Sequence, residues 1–247
     1  HTIYYNFMQN LESLSIFIPL YNEEQGIENL SNQLTKIEDV LSKLCSLNFY
    51  LVDDGSTDST YELLQNYFTN KSNYQIIQHE ENKNLGGFLR TSLEYCKSNY
   101  IGYLDSDCSY SPELLIKMFE KSLSNYDIVN ASPYHPDGKV VGVDKTRLYL
   151  SKTVNSFYGN LIKKNIYTTS SICKIYKFSL IKDIEIRMEN FVSITELFIK
   201  ALQKDSSYIE YPCELKPREY GSSKMNIFSN IFSHINFIFK LKQRKLN

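Results

Sequence analysis

"FYLVDDGSTDST", residues 49–60, contains the clearest sign of the chain's architecture. Its first four residues are apolar or aromatic and predict a buried strand, and the Asp-Asp-Gly that follows predicts a turn. Ser56, Thr57 and Asp58 favour the start of a helix, because such side chains bond to backbone N–H groups there. Capping does not explain Asp53, which directly continues the apolar run. The stretch therefore predicts a strand–turn–helix unit with a carboxylate at the end of the strand.

The first half of the chain repeats this unit, which predicts an α/β fold: a mostly parallel sheet with helices on both faces. Parallel sheets bind ligands at the carboxyl ends of their strands, and the polar segments that follow strands here are Glu23, 53–55, 82–87 and 105–107. We therefore expect these segments along one edge. The predicted strands are 14–20, 49–52, 74–78, 100–104 and 126–132, and the predicted helices are 27–44, 85–97 and one opened by Pro112 with Ser111 as its N-cap.

The second half is less regular, with helices predicted over 140–165 and 188–203 and a strand at "SYIEYP". We expect one domain over residues 11–225, followed by an amphipathic basic helix over 226–247.

Composition narrows the functional classes. The 247 residues are 42% hydrophobic and 22% charged, and the net charge of −1 argues against nucleic-acid binding, because no excess of Lys and Arg is present to neutralise phosphates. The five cysteines have no CxxC spacing, so neither a zinc site nor a disulfide framework is expected, and a reducing cytosol is the default. No run of roughly 18 apolar residues predicts a membrane-spanning helix.

A second acidic strand end occurs in "IGYLDSDCSYSPE", residues 101–113. In extended backbone Asp105 and Asp107 point to the same side, and paired carboxylates suit Mg²⁺ or Mn²⁺ when substrate phosphates complete the coordination shell. The alternative is that Asp107 caps a turn and Asp105 is solvated. Two acidic strand ends on one predicted edge favour a cation together with a hydroxyl-rich ligand.

Five motifs occur in the order and spacing of a known family: "IPLYNEE", "VDDGSTD", "NKNLGGFLRTSLEY", "YLDSDCSYSPE" and "REYGSSK". Over residues 14–225 the chain resembles the family 2 glycosyltransferases of the GT-A fold. The "R-x-Y-G-x-S-K" ending is similar to that of the polyprenyl-phosphate (dolichyl-phosphate) sugar transferases.

The resemblance implies roles for particular residues. It implies that Asp105 and Asp107 hold a divalent cation, with Ser109 as a weaker third ligand. Arg218 and Lys224 would act with the aspartates in catalysis and would join Arg147 and Ser151 in binding the acceptor phosphate. By composition alone, 216–226 is equally a solvated basic loop, and Arg147 and Ser151 are equally surface-helix residues. The nucleotide sugar would be bound by Pro19, Tyr21, Glu23, Asp53, Asp54, Asn82 and Asp105.

The chain departs from the family at two positions. Pro133 stands in "ASPY" where the family usually has an Arg, so one phosphate-binding cation is missing. Asn84 replaces the first Gly of a turn, a mild change because Asn tolerates left-handed backbone geometry. Glu196 lies near the position of a base in relatives with hydroxyl acceptors, although an ordinary helical Glu is the better interpretation.

Residues 226–245 predict a helix with an apolar stripe and an excess of basic residues. Such a helix suits a membrane surface with anionic lipids, or it packs on the domain or on a second copy. The stripe contains Ile227, Phe228, Ile231, Phe232, Ile235, Ile238 and Phe239.

The resemblance predicts an inverting, metal-dependent transfer of a hexose from a nucleotide-diphosphate sugar (GDP-mannose or UDP-glucose type) to polyprenyl phosphate. The expected location is cytoplasmic, peripheral at the inner face of the membrane. One alternative is a family 2 enzyme that glycosylates a saccharide hydroxyl in cell-surface polysaccharide synthesis. The other is a catalytically silent sugar-nucleotide-binding protein.

Overall fold

A seven-stranded sheet forms the centre of this computed structural model, which describes residues 12–142, 145–217 and 227–244. The sheet is mixed, and two further short strands form a separate two-stranded sheet. The strands are β1 (Ser13–Leu20), β2 (Ser46–Asp53), β3 (Tyr74–Gln78), β4 (Tyr100–Tyr103), β5 (Ile128–Ser132), β6 (Lys139–Val140), β7 (Lys174–Lys177), β8 (Tyr208–Pro212) and β9 (Glu214–Leu215).

Helices cover both faces of the large sheet, as the sequence predicts. Their bounds are α1 (Ile27–Leu41), α2 (Thr60–Phe68), α3 (Asn84–Tyr95), α4 (Pro112–Leu123), α5 (Lys145–Ile162), α6 (Phe178–Ile181), α7 (Val192–Gln203) and α8 (Ile227–Arg244).

The strand order is β3-β2-β1-β4-β7-β5-β8. Every pairing in this sheet is parallel except those of β7, which is antiparallel to both β4 and β5. The mostly parallel α/β architecture is therefore confirmed. The sequence analysis missed β7.

The apolar core has two halves, one on each face of the sheet. Side chains alternate along a strand, so β1 sends Leu14, Ile16 and Ile18 to the half covered by α1, α2 and α4. Phe17 points to the other half, where it stacks on Tyr50 with ring centroids 4.3 Å apart. The central strands are therefore apolar on both faces, as expected for parallel strands between helical layers.

Several element ends differ from the predictions. Helix α1 ends at Leu41, before the exposed Leu44. Ser111 occupies the N-cap position of α4, but its hydroxyl makes no capping hydrogen bond. Helix α5 is shorter than predicted because Lys139–Val140 forms β6, and α7 begins at Val192 rather than at 188.

Helix α8 packs on the domain through Phe237 and Leu241, which are buried in the half-core of α7. Phe232, Ile235 and Phe239, three members of the predicted stripe, are instead 72%, 45% and 62% exposed. The other side of the helix thus supplies part of the packing, and these three stripe residues face outward. Within the described ranges, none of the helices combines the length and apolar character needed to cross a bilayer. The predicted domain boundary at 225/226 lies outside the described residues.

Candidate active site

The carboxyl ends of β1, β2 and β4 meet at one edge of the sheet. Leu20 at the end of β1 pairs with Asp53 at the end of β2, and Phe17 of β1 pairs with Tyr103 at the end of β4. The backbone continues from these ends into Tyr21, Asp54 and Asp105. The structure therefore places at one edge three of the four polar segments that the sequence predicted to lie there.

Hydrogen bonds link the segment after β1 to the segment after β2. The N–H of Asn22 donates to Ser56 Oγ at 2.9 Å, and Asn22 Oδ1 accepts from the N–H of Thr57 at 2.8 Å. The N–H of Glu23 donates to Thr60 Oγ1 at 2.8 Å. Ser56, Thr57 and Thr60 thus fix the neighbouring loop, and Tyr21 and Glu23 lie half-buried on it.

Asp53 is fully buried at the end of β2. Its Oδ1 accepts the N–H of Ser56 at 3.2 Å, and its Oδ2 lies 3.4 Å from Gln78 Nε2. The turn that follows requires glycine, because Gly55 has φ +72° and a Cβ there would lie 2.7 Å from the backbone carbon of Glu81. The Asp53 carboxylate is therefore held in a fixed position at the end of β2.

Asp54 is also buried, but it belongs to a different network. Its Oδ1 lies 2.7 Å from His79 Nδ1 and accepts the N–H of Lys83 at 2.9 Å, and His79 Nε2 lies 2.8 Å from Thr91 Oγ1. The carboxylate therefore connects the end of β2 with the loop before α3. Sequence reasoning missed His79, although it follows β3 directly, as Asp54 follows β2.

The other residues predicted to bind the nucleotide lie on the same edge. Pro19 is half-buried in β1, and its register partner is Val52. Asn82 is exposed, and its Oδ1 accepts the N–H of Asn84 at 3.0 Å. Asn84 has φ 56°, so the left-handed geometry expected of it is confirmed.

Asp105 and Asp107 lie half-buried on the loop after β4. Asp107 Oδ1 accepts the N–H of Ser109 at 2.9 Å and the Ser109 hydroxyl at 2.5 Å. Ser109 therefore orients Asp107. The described residues contain no cluster of three or more metal-ligating side chains. Two carboxylates fit Mg²⁺ or Mn²⁺ without such a cluster when the substrate supplies phosphate oxygens.

Lys174 is a buried cation that sequence reasoning missed. It lies in β7 opposite Tyr103, and its Nζ donates to the carbonyl oxygens of Thr169 and Ser171. Burial lowers the pKa of Lys174 to about 7, a shift that nearby negative charge, including the Glu210 and Asp105 carboxylates, opposes. The only sequence signal is a lysine inside an apolar run, "CKIYK".

The Glu196 carboxylate is bonded to neighbouring backbone N–H groups and to a lysine side chain. Its Oε2 accepts the N–H groups of Arg187 at 2.9 Å and Met188 at 2.7 Å, and its Oε1 pairs with Lys200 Nζ at 2.5 Å. The carboxylate is buried and anchors the segment before α7. This geometry agrees with the interpretation of Glu196 as an ordinary helical residue.

The predicted acceptor-phosphate residues are only partly placed. Ser151 lies half-buried in α5. Arg147 belongs to the same helix, but its side chain is outside the described part of the structure. Arg218 and Lys224 also lie outside the described residues.

The family model described as "Glycosyl transferase family 2" matches residues 15–185. That match covers most of the chain, including β1 to α6, and the chain therefore belongs to glycosyl transferase family 2. The resemblance inferred from the five motifs is confirmed, and so is the glycosyltransferase class.

Two curated relatives are similar over most of this chain. The dolichol-phosphate mannosyltransferase of Pyrococcus furiosus is 26% identical over 230 residues, which are 92% of this chain and 63% of that protein. The polyprenol monophosphomannose synthase of Mycolicibacterium smegmatis is 25% identical over 218 residues, 85% of this chain and 80% of that protein.

Solved structures share the fold. Glucosyl-3-phosphoglycerate synthase from Mycobacterium tuberculosis, in complex with Mn²⁺, UDP and glucosyl-3-phosphoglycerate, has a TM-score of 0.67 and 16% identity, over 94% of this chain and 80% of that one. S. aureus TarS in complex with UDP-GlcNAc has a TM-score of 0.61 and 22% identity, over 92% of this chain and 65% of that one. At these identities the likeness supports the GT-A fold alone.

Proposed function

We propose that this protein transfers a hexose from a nucleotide-diphosphate sugar to polyprenyl phosphate, with inversion at the anomeric carbon. The observation that carries the proposal is the acidic edge of the sheet, where Asp53 ends β2 and where Asp105 and Asp107 follow β4, the two parallel strands that flank β1. The names of the two curated relatives support a polyprenyl-phosphate acceptor.

In this proposal the nucleotide lies across the ends of β1 and β2. Tyr21 and Glu23 face it from one loop, and the carboxylate of Asp53 accepts hydrogen bonds from ribose hydroxyls or base N–H groups. Asp54 supports the nucleotide site indirectly, because its carboxylate is already bonded to His79 and to the N–H of Lys83. Pro19 and Asn82 complete the walls of this nucleotide site.

Asp105 and Asp107 would hold Mg²⁺ or Mn²⁺, with Ser109 orienting Asp107 or serving as a further ligand. Such an ion neutralises the charge that develops on the leaving diphosphate. Arg218 and Lys224 are proposed to bind the same phosphates and, together with Arg147 and Ser151, the acceptor phosphate.

A phosphate acceptor is already an anion near neutral pH, so the transfer proceeds without a strong general base. The bonds made by Glu196 support this view, because its carboxylate is committed to two backbone N–H groups and Lys200. The chain's contribution is to position donor and acceptor in line and to stabilise charge.

We further propose that the protein works at the inner face of the membrane, in contact with lipid through α8. The exposed Phe232, Ile235 and Phe239 support this placement.

The test is release of nucleoside diphosphate from a panel of GDP- and UDP-sugars, with Mg²⁺ or Mn²⁺ and with or without short-chain polyprenyl phosphate. Release that requires both the metal ion and the lipid phosphate is the expected result and identifies the donor. Release with a saccharide acceptor instead would move the function to polysaccharide synthesis. Binding of a sugar nucleotide without release under any condition would favour a silent binder.

A further inference from the structure

A polar groove of about 600 Å³ opens beside the candidate active site. One wall is the loop after β5, the second is α5, and the third is the segment 164–167. Its volume lies within the range of roughly 300–1,000 Å³ that is usual for small-ligand sites. The sequence analysis named only Pro133 among the residues that line it.

The groove is positioned on the catalytic edge of the sheet. Strands β4 and β5 are both antiparallel to β7, so they run in the same direction and the loops that follow them emerge on one side. The two loops are also linked through β9: Leu215 pairs with Val140 at the rim of the groove, and the next N–H, that of Lys216, donates to the Ser109 carbonyl at 3.3 Å.

Hydrogen bonds between the wall segments and the residues beneath them hold the groove in shape. Asn155 Oδ1 accepts the N–H of Thr169 at 3.0 Å, and Asn155 Nδ2 donates to the Tyr167 carbonyl at 2.5 Å. The Glu210 carboxylate accepts the N–H groups of Tyr167 and Thr168 at 2.8 and 2.9 Å. Glycine is required at position 138, because a Cβ there would lie 2.7 Å from the Ser132 and Pro133 carbonyl oxygens. The site is therefore largely preformed.

The lining is positively charged. Among the described residues, the lining side chains include Lys152, Lys164 and His135 but no Asp or Glu. Neither lysine has an acidic side chain within ion-pair distance in the described part of the chain; Lys164 instead lies over the Tyr208 ring at 5.5 Å. His135 faces Asp137 at the rim, 3.6 Å away, and packs edge-on against Tyr167.

We infer that this groove binds a phosphoryl group of the acceptor, with Lys152 and Lys164 supplying the positive charge that Pro133 does not. The inference rests on the proposed function. Lysine ammonium groups bind phosphate oxygens as point charges, and two uncompensated lysines on facing walls attract an anion. The Ser156 hydroxyl and the Asn160 amide line the groove as donors for the remaining oxygens, and the Asn165 amide has a second N–H beside the one that it donates to the Tyr167 hydroxyl.

The described residues of helix α5 that line the groove are not those that the sequence predicted to bind the acceptor phosphate. Leu148, Lys152, Asn155 and Gly159 line the groove at helical spacing, whereas Ser151 is not among the described lining residues. Ser151 shares a helix side with Val154 and Tyr158, which pack into the core. Lys152 is thus a further residue of this helix that we assign to the acceptor phosphate, in addition to those proposed above.

The experiment compares Lys152→Gln and Lys164→Gln with Lys43→Gln, a control at an exposed lysine beyond the end of α1. Binding of geranyl phosphate, geraniol and inorganic phosphate is measured by calorimetry, together with the KM for geranyl phosphate and the Kd for the sugar nucleotide. Each groove variant is expected to weaken geranyl phosphate binding and raise its KM by roughly tenfold, the loss typical of one charge-assisted hydrogen bond. The Kd for the sugar nucleotide stays unchanged, Lys152→Arg restores binding, and geraniol does not bind.

The outcomes separate this inference from the proposed function. Geranyl phosphate binding that depends on the lysines, without any sugar transfer, would leave the groove assignment intact and contradict the proposed function. Equal affinity for inorganic phosphate would keep the phosphoryl site and make a lipid source unnecessary. Transfer with unchanged KM in both variants would overturn the groove assignment, as would a wild-type protein that binds neither phosphate compound. Lys152 is exposed, so its variant is expected to fold normally.

Discussion

The two aspartates at the end of β2 have different surroundings. Asp54 lies against the buried imidazole ring of His79, whereas Asp53 lies against the N–H of Ser56 and the amide of Gln78. Asp54 Oδ1 is within hydrogen-bond distance of His79 Nδ1 and accepts the N–H of Lys83, so both of these groups depend on that one carboxylate. Asp53 is bonded within its own turn and to Gln78. We therefore assign Asp54 to the stability of the site loops and Asp53 to the ligand.

Asp54→Ala should lower the free energy of unfolding by about 3 kcal/mol, because it leaves the part-buried N–H of Lys83 and the buried imidazole of His79 without their partner. Urea unfolding of purified protein measures the change. Asp39→Ala, at an exposed position of α1, serves as the matched control and should stay within about 0.5 kcal/mol of wild type. Equal stability of the two variants would show that the His79 network contributes little.

Asp107→Ala should reduce metal-dependent turnover by at least about a hundredfold, since the variant loses one of two carboxylates proposed to hold the ion. Its unfolding curve should stay close to that of wild type, because the side chain is half-buried on a loop and its bonds to Ser109 lie within that loop. Steady-state release of nucleoside diphosphate at varied Mn²⁺ gives the answer. Unchanged turnover would remove the metal role from this pair.

Among single residues of the site, the sequence predicts those that interrupt a clear apolar run. Asp53 and Asp105 directly continue apolar runs, where a buried carboxylate has a cost unless it has a partner. His79 occupies the same kind of position after β3, but a single histidine at a strand end breaks no rule. Its partner Asp54 is 25 residues away, a separation that local patterning does not connect.

At the scale of elements, most strands and helices of the first half follow from periodicity, whereas β7 does not. Its sequence "KIYK" begins with a lysine that is fully buried in the structure. A charged residue in a short apolar run argues against a buried strand. In the structure the Lys174 ammonium donates to carbonyl oxygens of the preceding loop. The strand also pairs with β4 and β5, which are far from it in the sequence.

Helix α8 depends on a neutral histidine. His234 Nδ1 lies 3.0 Å from the Tyr158 hydroxyl, and burial lowers the pKa of His234 from 6.5 to about 4. The folded state therefore binds a proton less readily than the unfolded state does. Stability from this group is fully present above pH 6.5 and is lost progressively as the pH falls from 6.5 toward 4.

Wild-type protein should accordingly lose roughly 2–3 kcal/mol of unfolding free energy between pH 7 and pH 4 on account of His234, at 1.36 kcal/mol per pKa unit. His234→Gln removes this titration, so its stability should fall less over the same range. Urea unfolding of both proteins at several pH values measures the difference. Parallel pH profiles would mean that the helix does not hold His234 in its neutral form.

For the molecule as a whole, the sequence predicts the catalytic edge but not the groove beside it. The edge follows from a general property of parallel strands, which applies once the βαβ pattern is recognised. The groove forms where three segments meet, 133–140, α5 and 164–167, and none of them has a motif that identifies the others. Their contact depends on buried polar groups such as Asn155 and Glu210, which look like ordinary surface residues in the sequence.

On the surface of the described part of the molecule, helix α8 presents a row of exposed large apolar side chains at positions 232, 235 and 239. Basic residues follow in the same helix, and this combination favours a surface of anionic lipid. Replacing Phe232, Ile235 and Phe239 together by Ser should abolish co-sedimentation with vesicles of phosphatidylglycerol and phosphatidylcholine. Phe237 and Leu241, which hold the helix on the domain, remain in place.

The matched control replaces Val40, Leu44 and Tyr67 by Ser, three exposed apolar residues elsewhere on the surface. This variant should sediment with vesicles as wild type does. Both variants should keep their rates with a short-chain, water-soluble acceptor, because neither changes the edge of the sheet or the groove; with a long-chain polyprenyl phosphate in vesicles, only the α8 variant should lose activity. If that variant still bound vesicles and used the long-chain acceptor, the outward stripe would have to be assigned to another partner, such as a second copy of this chain.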